Sequence, residues 1–188
     1  MKTQHELKRE AEEILSRLNL IQLLDKYGET RMVGSVALEL IVKLDLDLHV
    51  LVSKYALMDA VNKVTVELLD DKRIDEVRIS DYRPEGVKIG IDKCPSESGN
   101  WTIDIWLTTD ISTTAFGQVE HILAELTPDK RDRILSLKEY YYKQGRLRDG
   151  ISTIIYQAVL NGVTNLKEFE ETHAYLEYSE THRKDEVK

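Results

Sequence analysis

The feature that most constrains this chain is an apolar segment, residues 44–52, that carries two aspartates one residue apart. Its sequence, LDLDLHVLV, alternates through Asp45 and Asp47, which predicts a β-strand with leucines on one face and acids on the other. Two neighbouring carboxylates repel each other and are costly to remove from water unless positive charge lies beside them. The strand is therefore either an edge strand with a solvated acidic face or one wall of a cation site. The apolar run at residues 50–52 favours the second alternative, because it continues as if both faces were covered.

The composition is that of a globular protein with a hydrophobic core. The 188 residues are 41% hydrophobic and 32% charged, and the net charge of -8 argues against extensive nonspecific wrapping of nucleic acid. Cys94 is the single cysteine, which excludes an internal disulfide and fits a reducing cytoplasm. No segment approaches the roughly 18 apolar residues of a membrane span, and the amino-terminal residues lack the apolar core of a signal peptide. We therefore expect a cytoplasmic protein without membrane contact.

The order of predicted elements indicates an α+β fold, with a small mixed or antiparallel sheet flanked by helices and a helical bundle after it. Strands are predicted at residues 31–33, 44–52, 76–80, 87–92 and 101–108. Helices are predicted at residues 7–27, 36–42, 54–69, 115–126, 128–144, 151–160 and 166–178. We expect an α+β domain at residues 1–110, a helical domain at 111–180 and a polar tail at 181–188.

A third acidic residue extends the cluster. Asp104 lies between Ile103 and Ile105 on a predicted strand and so occupies that strand's polar face. If the two strands are neighbours, Asp45, Asp47 and Asp104 converge on one patch. Oxygen ligands of this kind suit Mg²⁺, and two such ions can stabilise the attacking and leaving oxygens of a phosphoryl transfer. The acids therefore predict a magnesium site.

Three short segments complete a recognisable pattern. Val33-Gly34-Ser35 is followed after nine residues by Asp45-Leu46-Asp47-Leu48, and later by Ile103-Asp104-Ile105. This pattern, over about residues 29–108, resembles the nucleotidyltransferase superfamily related to DNA polymerase beta. The whole chain looks most similar to bacterial stand-alone nucleotidyltransferase-like proteins, and the stretch from Gly34 to Lys43 is distantly similar to the GrpB-like branch.

The resemblance implies both an activity and a division of roles. Gly34 and Ser35 would hold the triphosphate of a nucleotide, and Asp45 and Asp47 would bind metal ions. Asp104 would bind metal or act as the base that activates an acceptor hydroxyl. The implied reaction moves a nucleoside monophosphate from an NTP to that hydroxyl, with Mg²⁺ as the cofactor and room for two ions.

The helix predicted at residues 36–42 departs from the superfamily. Many members carry Arg or Lys there and a small polar residue before the first acid, whereas this chain has Glu39 in the helix and Leu44 before Asp45. This difference keeps a second hypothesis open, namely a catalytically inactive module that binds a nucleotide or a partner. A purely structural α+β domain is a third.

Positive charge for a triphosphate is therefore expected from lysines outside that helix. Lys43 is the nearby cation, and Lys138, which lies close in sequence to Arg146 and Arg148, is the best source in the helical half. We assign Lys43 and Lys138 to nucleotide binding, with a solvated helix end as the alternative for the second group. The acceptor is expected to be a small molecule or a protein, because the acidic net charge makes an extended nucleic acid less favoured.

Two further side chains share the faces of the acids. His49 lies on the face of Asp47, and we expect it to form a structural hydrogen bond, with substrate positioning as the alternative. Trp106 lies on the face of Asp104, where it would either stack on a base or pack at the rim of the core.

Overall fold

The computed structural model describes residues 2–148 and 150–182, and the chain divides into two compact units after His121. The first unit is α+β and the second is helical, which confirms the predicted fold class. The sequence predicts a boundary after residue 110 and a polar tail at 181–188. Residues 183–188 lie outside the described residues, and residues 181 and 182 belong to the last helix.

The first unit alternates helices and strands along the chain. Its helices are α1 Gln4–Leu18, α2 Leu20–Leu24, α3 Gly34–Leu38 and α4 Leu57–Asp70. Its strands are β1 Gly28–Val33, β2 Asp45–Val52, β3 Val77–Asp81, β4 Val87–Ser96 and β5 Gly99–Thr108. A 3₁₀ turn, Ile111–Thr113, follows β5, and helix α5, Phe116–Glu125, crosses the boundary.

The second unit consists of helices. They are α6 Pro128–Lys143, α7 Ile151–Leu160, α8 Leu166–Glu170 and α9 His173–His182. Helix α6 begins as its sequence predicts, because the Thr127 hydroxyl accepts the Lys130 backbone N–H and proline occupies the first turn. No helix in the described part of the chain combines the length and apolar composition that crossing a bilayer requires.

The five strands form one mixed sheet in the order β1-β2-β5-β4-β3. The β2 and β5 strands are parallel to each other, and the other neighbouring pairs are antiparallel. One face of the sheet is the core of the first unit, to which β2 and β5 contribute fully buried side chains: Leu46, Leu48, Val50, Ile103, Ile105 and Leu107. The alternation of side chains leaves the polar residues of the same strands on the opposite face.

Several predicted boundaries are wrong for local backbone reasons. The helix predicted at residues 7–27 is divided at Asn19, whose φ of 56° ends α1 in the left-handed region. The helix predicted at residues 36–42 begins earlier and ends at Leu38, because Glu39 is also left-handed with φ 54°. The predicted helix at 166–178 is two helices, α8 and α9, and the strands predicted at 87–92 and 101–108 extend until they are joined by a tight turn.

Candidate active site

The two central strands place the three predicted acids on one face of the sheet. Asp47 on β2 is the direct Cα partner of Asp104 on the neighbouring parallel strand β5. Asp45 lies two residues earlier on β2, opposite Thr102, and therefore on the same face. All three side chains are partly exposed, whereas their neighbours along each strand are buried in the core. The strands are thus neighbours, as convergence of the acids requires.

The Gly34-Ser35 turn lies directly against one of these acids. Gly34 has a φ of 65°, and a Cβ placed on it would be 2.3 Å from Oδ2 of Asp47. Glycine is required there both by the left-handed backbone and by the close carboxylate. Ser35 is buried, and within the described residues its Oγ has no hydrogen-bond partner. A buried hydroxyl in that state is uncommon and needs an acceptor.

Lysines contact the carboxylates of Asp45 and Asp104. The Nζ of Lys43 lies 3.2 Å from Oδ2 of Asp45, and the Nζ of Lys88 lies 3.2 Å from Oδ2 of Asp104. Lys43 is one of the predicted nucleotide-binding residues, whereas Lys88 is not. The alternation of VKIGID puts Lys88 on the polar face of β4, which was a usable signal. The pairing that brings it to Asp104 is not visible in the sequence, because it depends on the register of β4 against β5.

Glu39, which stands where many superfamily members carry a basic residue, has a partner on the first helix. Its carboxylate lies 3.1 Å from the Nζ of Lys8 on α1. Because α3 ends at Leu38, Glu39 is the residue that terminates this short helix and not part of its interior. The departure from the superfamily pattern is thus accompanied by a specific ion pair.

His49 follows the acids on the same face of β2 and contacts the segment just before α5. Its Nδ1 accepts a hydrogen bond from the backbone N–H of Ala115 at 3.1 Å, just before α5. Burial lowers the pKa of His49 from 6.5 to about 4, so the ring is neutral near pH 7. The structural hydrogen bond expected for His49 is confirmed.

Trp106 lies between two other rings on this face. Its ring centroid is 5.3 Å from that of Tyr82 and 6.4 Å from that of His49, with interplanar angles of 30° in both pairs. Its Nε1 is buried and, as far as the described chain extends, lacks a hydrogen-bond partner. The indole therefore packs against two aromatic side chains, and its stacking on a base stays a prediction.

Lys138, the other predicted nucleotide-binding lysine, lies on α6 in the second unit. Its side chain is 2% exposed, and its ammonium donates a hydrogen bond of 2.9 Å to the hydroxyl of Tyr156. The alternative of a solvated helix end is wrong for Lys138, because the residue is buried. Its role in nucleotide binding stays a prediction.

The acidic residues fit Mg²⁺ by the chemistry of their donors. Asp45, Asp47 and Asp104 offer carboxylate oxygens on one face, and hard divalent cations prefer such ligands. The side chains as they lie do not form a closed coordination shell: no group of three or more His, Cys, Asp or Glu in the described ranges is arranged to hold a metal ion. Mg²⁺ commonly completes its shell with water and substrate phosphates.

Solved structures with the same fold include those of a poly(U) polymerase and of an RNA terminal U-transferase. The poly(U) polymerase Cid1 bound to Mg 3'-dATP has a TM-score of 0.54 at 19% identity, over 72% of this chain and 42% of that one. A cytoplasmic RNA terminal U-transferase has a TM-score of 0.54 at 17% identity, over 73% and 42% of the two chains. The GLD-2/RNP-8 complex gives 0.59 at 12% identity, over 82% and 54%.

These likenesses establish the fold. The chain has the nucleotidyltransferase fold that its motif predicts, and it spans only 42% to 54% of the length of these three neighbours. No protein-family model and no curated protein matches the sequence. Two of the neighbours are described as acting in poly(U) or RNA terminal synthesis, so they lend no support to the expectation that an extended nucleic acid is the less favoured acceptor.

Proposed function

We propose that this chain is a metal-dependent nucleotidyltransferase that moves a nucleoside monophosphate from an NTP to an acceptor hydroxyl. The observation that carries the proposal is the register of β2 and β5, in which Asp47 lies opposite Asp104 with Asp45 on the same face. Three carboxylates on adjacent strands beside a Gly-Ser turn would together bind cations and phosphates. The nucleotidyltransferase fold supports the same reaction class.

Asp45, Asp47 and Asp104 would hold the divalent cation. When bound, Mg²⁺ supplies charge neutralisation for the phosphates and for the oxygens that attack and leave. The chain itself supplies the carboxylates from two strands. Buried leucines and isoleucines on the opposite face of the sheet hold these strands in place. A site built on central strands holds its ligands more precisely than one built on loops.

The Gly34-Ser35 turn would bind the phosphates. The absence of a side chain at Gly34 lets the turn lie directly against the Asp47 carboxylate, so that a phosphate bound at the turn would lie beside the cation that Asp47 holds. The buried hydroxyl of Ser35 can donate a hydrogen bond to an oxygen of that phosphate and thereby gains the acceptor it needs. Lys43, next to Asp45, would offset the negative charge of the triphosphate.

In the proposed reaction, the acceptor oxygen forms a bond to the α-phosphorus of the NTP. The bond from that phosphorus to the oxygen of the β-phosphate breaks, and pyrophosphate leaves with the electron pair. Asp104 would accept the proton of the acceptor hydroxyl, since it lies on β5, which β2 separates from β1 and the Gly-Ser turn. Catalysis of this kind depends mainly on orientation and charge stabilisation.

A second candidate function is a catalytically inactive module that binds a nucleotide or a partner. The observation that favours it is α3, which contains no basic residue and is followed by Glu39, an acid paired with Lys8. This alternative predicts that NTPs bind in the presence of Mg²⁺ without chemical turnover on any acceptor.

Pyrophosphate release separates the two candidates. We would incubate the chain with Mg²⁺, each of the four NTPs and a panel of acceptors that includes small molecules, proteins and RNA 3' ends. The proposed activity predicts release that Asp45→Asn and Asp47→Asn reduce about a thousandfold or more, by analogy with the loss of a principal electrostatic group. Asp59→Asn on α4, which removes an exposed carboxylate paired with Lys63, is the matched control.

The outcomes differ sharply. Calorimetric binding of an NTP with no turnover across the panel would favour the inactive module. Turnover that is unchanged in the Asp45→Asn and Asp47→Asn variants would contradict the assigned site.

A further inference from the structure

The ion pair between Lys88 and Asp104 joins the two antiparallel strands β4 and β5. Lys88 is the Cα partner of Trp106, so its ammonium reaches diagonally to Asp104, two residues away on the same face. The pair is partly solvated, with 32% of the Lys88 side chain and 36% of the Asp104 side chain exposed. The proposed reaction does not use this lysine.

The contact with Lys88 engages one oxygen of the carboxylate. Nζ of Lys88 approaches Oδ2 of Asp104 at 3.2 Å, whereas Oδ1 is directed toward Gly90, where a Cβ would lie 3.4 Å away. Gly90 lacks a side chain, and the nearby guanidinium of Arg78 is paired through two nitrogens with Asp92. Asp104 is therefore paired with Lys88, whereas Arg78 is paired with Asp92.

A lysine contact of this kind is easily exchanged. The ammonium is a compact charge on a flexible stem, and a partly exposed ion pair is weak because water screens it. A divalent cation carries twice the charge and binds carboxylates through direct coordination. The two cations thus compete for the same group, with the lysine as the weaker ligand.

We propose that Lys88 is a positioning residue that holds the Asp104 carboxylate in the metal-free protein and gives it up when a divalent cation binds. The inference rests on the proposed function, because it takes Asp104 as part of the cation site. Lys88 then lowers the affinity of the site for the cation, since its ion pair must be broken and its positive charge opposes the incoming ion. By linkage, cation binding releases the Lys88 ammonium toward the anionic substrate.

Direct titration with Mn²⁺ tests this account without any assay of activity. Electron paramagnetic resonance of free Mn²⁺ gives the dissociation constant of the intact chain and of its variants in the absence of nucleotide. We expect Lys88→Met to bind Mn²⁺ about fivefold more tightly than the wild-type chain, the size of effect that one partly screened ion pair supplies. Lys88→Arg retains the charge and should stay near the wild-type affinity.

Lys63→Met is the matched control. It removes one positive charge and one lysine–aspartate pair from the exposed side of α4, so its Mn²⁺ affinity should equal that of the wild-type chain. Circular dichroism and thermal melting establish that each variant is folded, and Lys88→Gln takes the place of Lys88→Met if the latter is not.

The Mn²⁺ titrations distinguish failure of the proposed role of Lys88 from failure of the proposed cation site. Unchanged or weaker Mn²⁺ binding by a folded Lys88→Met chain would overturn the role of Lys88 while leaving the cation site intact. Mn²⁺ binding that Asp47→Asn and Asp104→Asn leave unaltered would instead contradict the cation site of the proposed function. Failure of both the wild-type and Lys88→Met chains to bind Mn²⁺ would contradict both.

Discussion

The backbone of Gly34 and the carboxylate of Asp47 are in such close contact that any side chain at position 34 would have to displace the carboxylate. A Cβ there would be 2.3 Å from Oδ2 of Asp47 and 3.1 Å from its Cγ. This contact couples the Gly-Ser turn at the end of β1 to the acidic face of β2. The two halves of the motif are therefore one structural unit, and a change in either half is expected to disturb the other.

Gly34→Ala should destabilise the first unit and disrupt the candidate site together. The alanine would have to adopt a left-handed φ and displace the Asp47 carboxylate, which we expect to cost about 1–3 kcal/mol of unfolding free energy. Urea denaturation measures this loss, and pyrophosphate release should fall with it. Gly117→Ala on α5, where a Cβ would meet nothing within 4 Å, should be neutral or slightly stabilising. Equal stability of the two variants would contradict the coupling.

Ser35→Ala should weaken NTP binding without lowering the stability of the fold. The hydroxyl is buried without a partner in the described part of the chain, so its removal should leave the unfolding free energy unchanged or raise it. Affinity for an NTP with Mg²⁺ should fall about tenfold, the size of effect expected for one hydrogen bond to a charged group. Calorimetric titration measures this change.

The control for Ser35→Ala is Thr65→Val on α4. It also removes a buried hydroxyl that lacks a partner among the described residues, but away from the polar face. We expect no change in NTP affinity from it. A Ser35→Ala variant that binds NTP as tightly as the wild-type chain would rule out the phosphate contact.

The neutral ring of His49 makes stability depend on pH in a defined window. Burial lowers the pKa of His49 from 6.5 to about 4, so between these values the unfolded chain binds a proton that the folded chain does not. The associated stability is fully present above pH 6.5 and is lost as the pH falls toward 4. Urea denaturation across this range should show the loss in the wild-type chain and a weaker pH dependence in His49→Gln. Identical pH profiles would show that the ring is not buried as described.

Glu10 on α1 gives a second pH dependence at lower pH. Burial acts to raise the pKa of Glu10, but hydrogen bonds from Ser98, Ser96 and Lys2 outweigh it and hold the pKa at about 2, below the usual 4.5. This contribution to stability is present above pH 4.5 and is lost as the pH falls toward 2. Acid unfolding of Glu10→Gln should therefore be less steep below pH 4.5 than that of the exposed control Glu12→Gln. Superimposable acid transitions would contradict the assigned hydrogen bonds.

The sequence predicts the acidic face because the signals for it are local. The alternation around Asp45 and Asp47, repeated around Asp104, specifies which side chains share a face, and the buried partners on the other face confirm it. The proline and threonine at the start of α6 are equally local signals. Short-range stereochemistry is enough for these features.

Features that depend on backbone conformation or long-range register could not be predicted. Asn19 and Glu39 adopt left-handed conformations that end helices, although the apolar periodicity continues past both residues. Lys88 reaches Asp104 only through the pairing of β4 with β5, which contains a register shift between Ile91 and Cys94. Long-range pairing of this kind follows from the packing of the whole sheet and not from the sequence of one strand.

The central claim is that the polar face of β2 and β5 binds a divalent cation together with a nucleotide. A crystal structure of the chain with Mg²⁺ and a non-hydrolysable NTP analogue tests it most directly. We predict carboxylate oxygens of Asp45 and Asp47 at about 2.0–2.1 Å from Mg²⁺, the distance typical of this ion. We also predict the triphosphate against Gly34 and Ser35, with Lys88 withdrawn from Asp104. A nucleotide bound elsewhere, with the three acids unliganded, would contradict the account.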